Sequence, residues 1–286
     1  MPLDFTKLSG AGNDFIVIDN RNHSLKPEAQ QIHTLCARGT GIGADGLILI
    51  EPSSRFDFSM RYYNADGFPG SMCGNGGRCA ALFAYAIGIP SKEEGSYSFE
   101  ANGNRYDATI TGHEMVRLCM TDPTNFRDAI NVEGFNCHYV DTGSPHVLVF
   151  VPAGELDGID VRRTGSAIRH RTDLFAGGTN VNFIEVIAQD TISVRTFERG
   201  VEDETLACGT GAVAAAIVSY RFGRVSSSRI RVKVRSGDIL EVSFKATERK
   251  SIGDVTLCGP AKIIYRGTTE LPLGKKLSEK QQGITR

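Results

Sequence analysis

Two of the seven cysteines begin nearly the same phrase, and this repeat is the feature of the sequence that points most directly to chemistry. Residues 73–88 read CGNGGRCAALFAYAIG, and residues 208–223 read CGTGAVAAAIVSYRFG. Each phrase places a cysteine on a glycine-rich turn ahead of an apolar helix that stops at a glycine. A thiol at a helix start lies beside unpaired N–H groups and the positive end of the helix dipole. We therefore expect both thiols to have a lowered pKa.

A pair of such thiols that face each other could invert a stereocentre. One sulfur, as thiolate, would remove a proton from one side of a carbon atom, and the other, as thiol, would return a proton from the opposite side. The N–H groups beside the glycines suit an amino-acid carboxylate, and their dipoles would stabilise the carbanion. Neither phrase contains a lysine that would indicate pyridoxal phosphate, so we expect no cofactor.

The other cysteines are interpreted as packing residues, because a cysteine beside apolar neighbours usually behaves as a small hydrophobic side chain. These are Cys36, Cys79, Cys119, Cys137 and Cys258. No Cys-x-x-Cys pair indicates a zinc site, and we predict no bound metal. A disulfide between Cys73 and Cys208 would be an oxidised, inactive form. A binding or redox module that uses the two thiols as a switch remains the alternative from a different class.

The segments around the two phrases repeat in the same order, which indicates two duplicated halves. The matching predicted strands lie at 15–19 and 147–151, at 47–50 and 181–187, and at 56–63 and 191–197. Both helices are apolar nearly all round, so each must be enclosed on every side. We predict an α+β fold of two pseudo-symmetric domains, each a curved, antiparallel-rich sheet around a central apolar helix.

Length and charge limit the functional classes further. The chain has 286 residues, enough for two domains, which we place at 1–117 with a return strand and tail at 265–286, and at 118–264. A net charge of −1 gives no field that would attract nucleic acid or a membrane surface. No secretory signal and no membrane-spanning apolar run is recognised. We expect a cytoplasmic protein that acts on a small molecule.

Eight short phrases, taken together and in order, resemble the diaminopimelate epimerase family. They are GAGNDF (10–15), GIGADGL (41–47), YNADG (63–67), MCGNGGRC (72–79), GSPH (143–146), TNVNF (179–183), FERG (197–200) and ACGTG (207–211). The resemblance covers about residues 3–266. It implies the fold above, a homodimer, and cofactor-independent interconversion of LL- and meso-diaminopimelate in lysine and peptidoglycan precursor synthesis.

The resemblance also implies a role for individual residues. Cys73 and Cys208 would be the acid–base pair, and His146 and Glu198 would tune the pKa of the thiols. The residues implied to bind substrate are Asn13, Gly46, Asn64, Gly74, Asn75, Ser144, Asn180, Glu198, Arg199, Gly209 and Thr210. The N–H groups of four of them, Gly74, Asn75, Gly209 and Thr210, would hold the reacting carboxylate. A bidentate arginine suits the distal carboxylate.

Some residues depart from the family pattern or allow other interpretations. Ser144 stands where many members have Asn, and Gly46 where some have Gln, so the contacts at both positions stay open. His146 could instead cap its own turn. The proline and hydroxyproline racemases resemble this fold, but typically have His where this chain has Asn75, and Ser-Pro where it has Leu206 and Ala207. A cysteine-free isomerase branch of the fold is excluded if both thiols are catalytic.

Overall fold

The structure is a computed structural model that describes residues 2–70, 72–247 and 251–270. Of the predicted return strand and tail at 265–286, the part beyond 270 lies outside the described residues. The first half contains β1 (Pro2–Gly10), β2 (Asn13–Asp19), α1 (Ala29–Cys36), β3 (Gly46–Glu51), β4 (Phe58–Asn64), α2 (Gly74–Ala86), β5 (Ser96–Ala101), β6 (Asn104–Gly112) and β7 (Met115–Cys119). The next elements are β8 (Thr124–Val132), β9 (Phe135–Asp141), β10 (Pro145–Phe150), a 3-10 turn (Leu156–Gly158), α3 (Val161–Arg169), β11 (Asn180–Ala188), β12 (Thr191–Glu198) and β13 (Asp203–Thr205). The remainder is α4 (Gly209–Arg221), β14 (Arg229–Lys233), β15 (Ile239–Ala246), β16 (Ile252–Pro260) and β17 (Lys262–Glu270).

The two halves have the same strand pairing, so the duplication predicted from the sequence is present in the fold. In the first half β2 pairs with β3, and β4 with β5, in parallel. In the second half β10 pairs with β11, and β12 with β14, in parallel. The other successive pairs within each half, such as β3 with β4 and β11 with β12, are antiparallel. Each parallel pair is joined by a helix, as a parallel connection requires.

Pairs between strands that are distant in the chain complete the sheet. β17 runs antiparallel to β1, with Pro2 opposite Glu270 and Ser9 opposite Lys262. β8 takes the corresponding place beside β9, and β16 pairs with β7 to join the halves. The last described strand therefore belongs beside the first. The domain boundaries at 117 and 264 stay a prediction.

Each central helix is enclosed by the strands of its own half, as the apolar sequences predict. Around α2, the rings of Phe58 and Phe99 stack with centroids 4.9 Å apart. In α4, all residues from Gly211 to Ser219 are buried, and small alanines let the strands approach closely. Burying a side chain the size of Val or Phe stabilises the fold by about 1.5–3 kcal/mol, so these helices anchor both cores.

Both helices end at a glycine, as their repeated phrases predict. Gly88 has φ +71° and Gly223 has φ +64°, a conformation that residues with a Cβ atom rarely adopt. The N–H of Gly88 donates to the carbonyl of Tyr85, and that of Gly223 to Tyr220. The equivalent stops show that the two phrases fold in the same way.

One expectation differs from the structure, and one helix was not predicted. Cys119, predicted to pack inside, is exposed on β7, because alternate residues of this strand face outward. The helix α3 is not evident from the sequence, since only Val161, Gly165 and Ile168 of its residues are buried. Among the described residues, no helix combines the length and apolar character needed to cross a membrane.

Candidate active site

The first turns of α2 and α4 meet. A Cβ atom on Gly74 would lie 3.9 Å from the Cα of Gly209, and one on Gly209 would lie 3.6 Å from the Cα of Gly74. Cys73 is the N-cap of α2, and Cys208 is the N-cap of α4. The two thiols and the positive ends of the two helix dipoles are therefore brought to one place.

A cavity of about 820 Å³ opens at this junction and receives residues from both halves. Twelve of the fourteen residues predicted for the site line it, namely Cys73, Cys208, Asn13, Asn64, Gly74, Asn75, Ser144, Asn180, Glu198, Arg199, Gly209 and Thr210. Gly46 and His146 do not line it. The sequence did not single out three further lining residues, Arg38, Asp45 and Tyr62, although Asp45 lies inside a family phrase.

Gly46 lies behind the ring of Tyr62. A Cβ atom there would come within 2.5 Å of Cε2 of Tyr62 and 2.4 Å of the carbonyl oxygen of Tyr63. The expected contact between Gly46 and substrate therefore does not follow from its position. Tyr62 lines the part of the cavity that a longer side chain at position 46 would line.

The thiol pKa values move in the opposite direction to the one predicted from the helix starts. Burial raises the pKa of Cys73 to about 11, and the nearby Glu198 carboxylate acts the same way, whereas a hydrogen bond from the N–H of Gly76 opposes both. Burial also raises the pKa of Cys208, and Glu198 again adds to the effect. The prediction of lowered values is wrong, because loss of water outweighs the first-turn N–H groups.

Glu198 is itself unusual, and it links the two thiols electrostatically. Burial raises the pKa of its carboxyl group, and the charge of Asp45 contributes in the same direction. Glu198 ends β12 and also disfavours thiolate at both Cys73 and Cys208. A cation in the cavity would relieve this repulsion, so the site favours a positively charged ligand.

His146 is fully buried and belongs to a polar chain that reaches Cys208. Its Nε2 lies 2.9 Å from the hydroxyl of Ser144 and 2.9 Å from that of Thr210, whose oxygen lies 3.6 Å from Sγ of Cys208. Asn182 donates to Nδ1 at 3.1 Å, which leaves the ring hydrogen on Nε2. Burial lowers the pKa of His146 to about 3, with Arg199 adding to this effect. His146 is therefore neutral near pH 7, and the Thr210 hydroxyl lies between its ring and the sulfur of Cys208.

A second polar chain fixes the amides on the other side of the cavity. Arg78, which is fully buried, donates to Oδ1 of Asn75 at 2.8 Å. Asn75 donates to Oδ1 of Asn13 at 2.6 Å, and Asn13 donates to Asp45 at 2.9 Å. Because every amide has a defined partner, the side chains hold one orientation before any ligand arrives.

The distal part of the cavity carries polar groups near solvent. Asn64 and Arg199 are exposed, whereas Asn180 is buried. Asn180 donates to the carbonyl of Pro145 and accepts from the backbone N–H of Arg199, each at 2.9 Å. In the described part of the chain, the guanidinium of Arg199 has no ion-pair partner. It can therefore take a carboxylate from a ligand.

Within residues 2–70, 72–247 and 251–270, no three His, Cys, Asp or Glu side chains group in a way that could hold a metal ion.

Comparison with known proteins gives concordant matches over nearly the whole chain. A sequence profile described as diaminopimelate epimerase matches residues 5–126 and 138–264. The chain is 56% identical over 265 residues to the diaminopimelate epimerase of Chlorobaculum tepidum, covering 92% of this chain and 100% of that protein. It is 42% identical over 268 residues to that of Flavobacterium psychrophilum, covering 92% and 98%.

Solved structures share the fold at low sequence identity. A phenazine biosynthesis protein from Bacillus anthracis aligns with a TM-score of 0.73 and 15% identity, over 94% of this chain and 99% of that one. A probable proline racemase from Agrobacterium radiobacter aligns with a TM-score of 0.71 and 16% identity, over 95% and 93%. At such identities the likeness concerns the fold alone.

Proposed function

The chain belongs to the diaminopimelate epimerase family, and from this premise we propose that it interconverts LL- and meso-diaminopimelate by proton transfer between Cys73 and Cys208. The observation that carries the proposal is the meeting of two cysteine-capped helix starts in one cavity. A carbon atom held between the two sulfurs can lose a proton on one side and gain one on the other.

In the proposed scheme the reacting carboxylate binds at the helix starts. The N–H groups of Gly74, Asn75, Gly209 and Thr210 belong to the first turns, where backbone donors are unpaired, and two dipoles favour an anion there. When the α-proton leaves, negative charge spreads onto this carboxylate. The same N–H groups then stabilise the carbanion, and no cofactor is required in the scheme.

Binding of the substrate changes the charge around the two thiols and so favours thiolate. Each thiol of the free protein has a raised pKa, in part because Glu198 disfavours a second negative charge. An ammonium group of diaminopimelate beside Glu198 neutralises that repulsion and favours thiolate. We propose that Arg199, with Asn64 and Asn180, binds the distal carboxylate, and that the enzyme is a cytoplasmic homodimer.

Isotope exchange tests the proposal. With diaminopimelate in deuterated water, the enzyme is expected to exchange the α-proton as it inverts the centre. Cys73→Ser and Cys208→Ser should each reduce inversion by roughly 10²–10⁴-fold or more, the range of a single acid–base group. Cys119→Ser, which changes an exposed thiol outside the cavity, is the matched control. A reduced, folded protein that neither exchanges nor inverts would sink the proposal.

Proline serves as the comparison substrate in the same assay. A proline-type amino acid has no distal carboxylate for Arg199 and no second ammonium group for the acidic residues of the cavity. We expect inversion of diaminopimelate and none of proline. Inversion of proline without inversion of diaminopimelate would contradict the proposal and indicate proline racemase activity.

A further inference from the structure

Tyr62 lines the same cavity, and no role follows for it from the repeated phrases. It lies in β4, two residues before Asn64. Its ring meets Phe15 edge to face, with centroids 6.0 Å apart and planes at 78°. Phe15 belongs to the apolar core around α2 and Tyr62 packs against that core, so the ring is anchored where it lines the cavity.

The absence of side chains at Gly46 and Gly70 provides the space that the Tyr62 ring occupies. A Cβ atom on Gly46 would lie 2.5 Å from Cε2 and 3.1 Å from the hydroxyl oxygen of Tyr62. A Cβ atom on Gly70 would lie 2.4 Å from both Cδ1 and Cε1 of the same ring. Any larger residue at either position would displace the ring. The chain thus holds Tyr62 in one place from both sides.

Among the residues that the structure describes, none forms a hydrogen bond with the Tyr62 hydroxyl. Tyr97, another tyrosine of this half, donates to the carbonyl of Ile89 at 3.1 Å. In the described residues Tyr62 has no such partner. Burial raises the pKa of Tyr62, and thiolate at Cys73 and the carboxylates of Asp45 and Glu198 act in the same direction. Arg38 pairs with Asp45 at 2.7 Å, so Glu198 is the acidic group here that has no ion-pair partner among the described residues. The hydroxyl is therefore neutral and lies in a corner that attracts a cation.

We propose that the Tyr62 hydroxyl binds the substrate, accepting a hydrogen bond from the ammonium group on the reacting carbon at the Cys73 side of the cavity. The inference rests on the proposed function, because that places the α-carboxylate at the helix starts and leaves the adjacent ammonium to face the acidic corner. A tyrosine oxygen accepts as well as donates, so a neutral phenol suits a cationic donor. Tyr62 then orients the carbon without adding charge beside the thiol.

Tyr62→Phe tests the hydroxyl alone, and Tyr97→Phe is the matched control. Hydrogen bonds to charged groups support a loss of roughly 10- to 100-fold in kcat/KM for diaminopimelate in Tyr62→Phe. Competitive inhibition by pimelate, which has both carboxylates and neither ammonium group, is expected to stay within about twofold of wild type. Tyr97→Phe should change neither constant, and thermal unfolding confirms that both variants are folded.

The outcomes distinguish the role of Tyr62 from the proposed epimerase function. A wild-type protein without epimerase activity refutes the proposed function. An active wild type with an unchanged Tyr62→Phe variant refutes the role of Tyr62. Equal losses for diaminopimelate and pimelate would also overturn it, because they would mean that the ring only shapes the cavity.

Discussion

The raised pKa of Cys73 predicts that this thiol reacts slowly with iodoacetamide in the enzyme alone. The prediction is counterintuitive, because a cysteine at a helix start is usually a reactive one. It follows from burial beside Glu198, which ends the neighbouring strand β12 and disfavours a second negative charge. Alkylation requires the thiolate, so its rate reports the thiolate fraction.

The expected size of the effect comes from the two pKa values. A thiol with the ordinary pKa of about 8.5 is about one-quarter thiolate at pH 8, whereas one with a pKa of about 11 is only ~0.1% thiolate. Cys73 should therefore be alkylated roughly 200-fold more slowly at pH 8 than an ordinary thiol of equal access. Its rate should keep rising tenfold per pH unit up to about pH 11.

Peptide mass spectrometry after timed alkylation gives the rate at each cysteine separately. The exposed Cys119, whose pKa is itself raised by partial burial of the thiol, is the reference for access within the same chain. Glu198→Gln removes the charge and should shift the Cys73 profile to lower pH, whereas Glu241→Gln, on β15 and paired with Arg229, should not. A Cys73 profile centred at or below the ordinary thiol value would refute the reasoning, since the helix start would then outweigh burial.

Further consequences follow from His146, Gly211 and the buried thiols. His146→Gln should leave the shape of the kcat/KM profile between pH 5 and 8 unchanged, because the pKa of about 3 keeps the ring neutral there; an acid limb near pH 6.5 that vanishes in the variant would contradict this. Gly211→Ala places a Cβ atom 2.4 Å from Oδ1 of Asn182 and should cost about 1–3 kcal/mol in urea unfolding, whereas Gly112→Ala meets nothing within 4 Å and should be near neutral. The thiol pKa of Cys73 is higher in the folded than in the unfolded chain, so its contribution to stability is complete below about pH 8.5 and is lost as pH rises through about 11. Melting temperatures measured across that window should fall, and a constant value would argue against a buried, protonated thiol.

The features that could be predicted from the sequence are those fixed by neighbouring residues. A cysteine on a glycine turn followed by an apolar run is sufficient to place α2 and α4 and their N-caps. The apolar character of both helices on all faces also required strands around them, so the enclosed arrangement followed. The repeated order of strands predicted the duplicated topology for the same reason.

The features that the sequence did not reveal depend on partners far along the chain. β1 is stabilised by β17, where Pro2 lies opposite Glu270. Its sequence PLDFTKLSG alternates weakly and contains a glycine, so local propensity is a poor guide. The helix α3 is short and largely polar, and it is held because Gly165 lets it approach within contact of Phe197. Tertiary packing outweighs propensity in both cases.

The site residues divide in the same way. Twelve of the fourteen predicted site residues line the cavity, because the family phrases mark strand ends, strand starts and helix starts near the junction. Gly46 and His146 are the exceptions, and the position of Gly46 is understood only through Tyr62, which faces it from the next strand. A pattern within one strand cannot show which neighbouring side chain fills the space above a glycine.

The thiol pKa is the property for which local reasoning gives the wrong sign. The N–H groups that favour thiolate belong to the same few residues as the cysteine, and the sequence displays them. Burial at the junction of the two halves is not displayed by neighbouring residues, and the charge of Glu198 affects both Cys73 and Cys208 because the halves meet there. Protonation is thus set by the assembled pair of halves. In the reaction that we propose, a substrate with an ammonium group next to the proton it must lose supplies the missing positive charge on binding, and the thiolate then forms beside the proton that it removes.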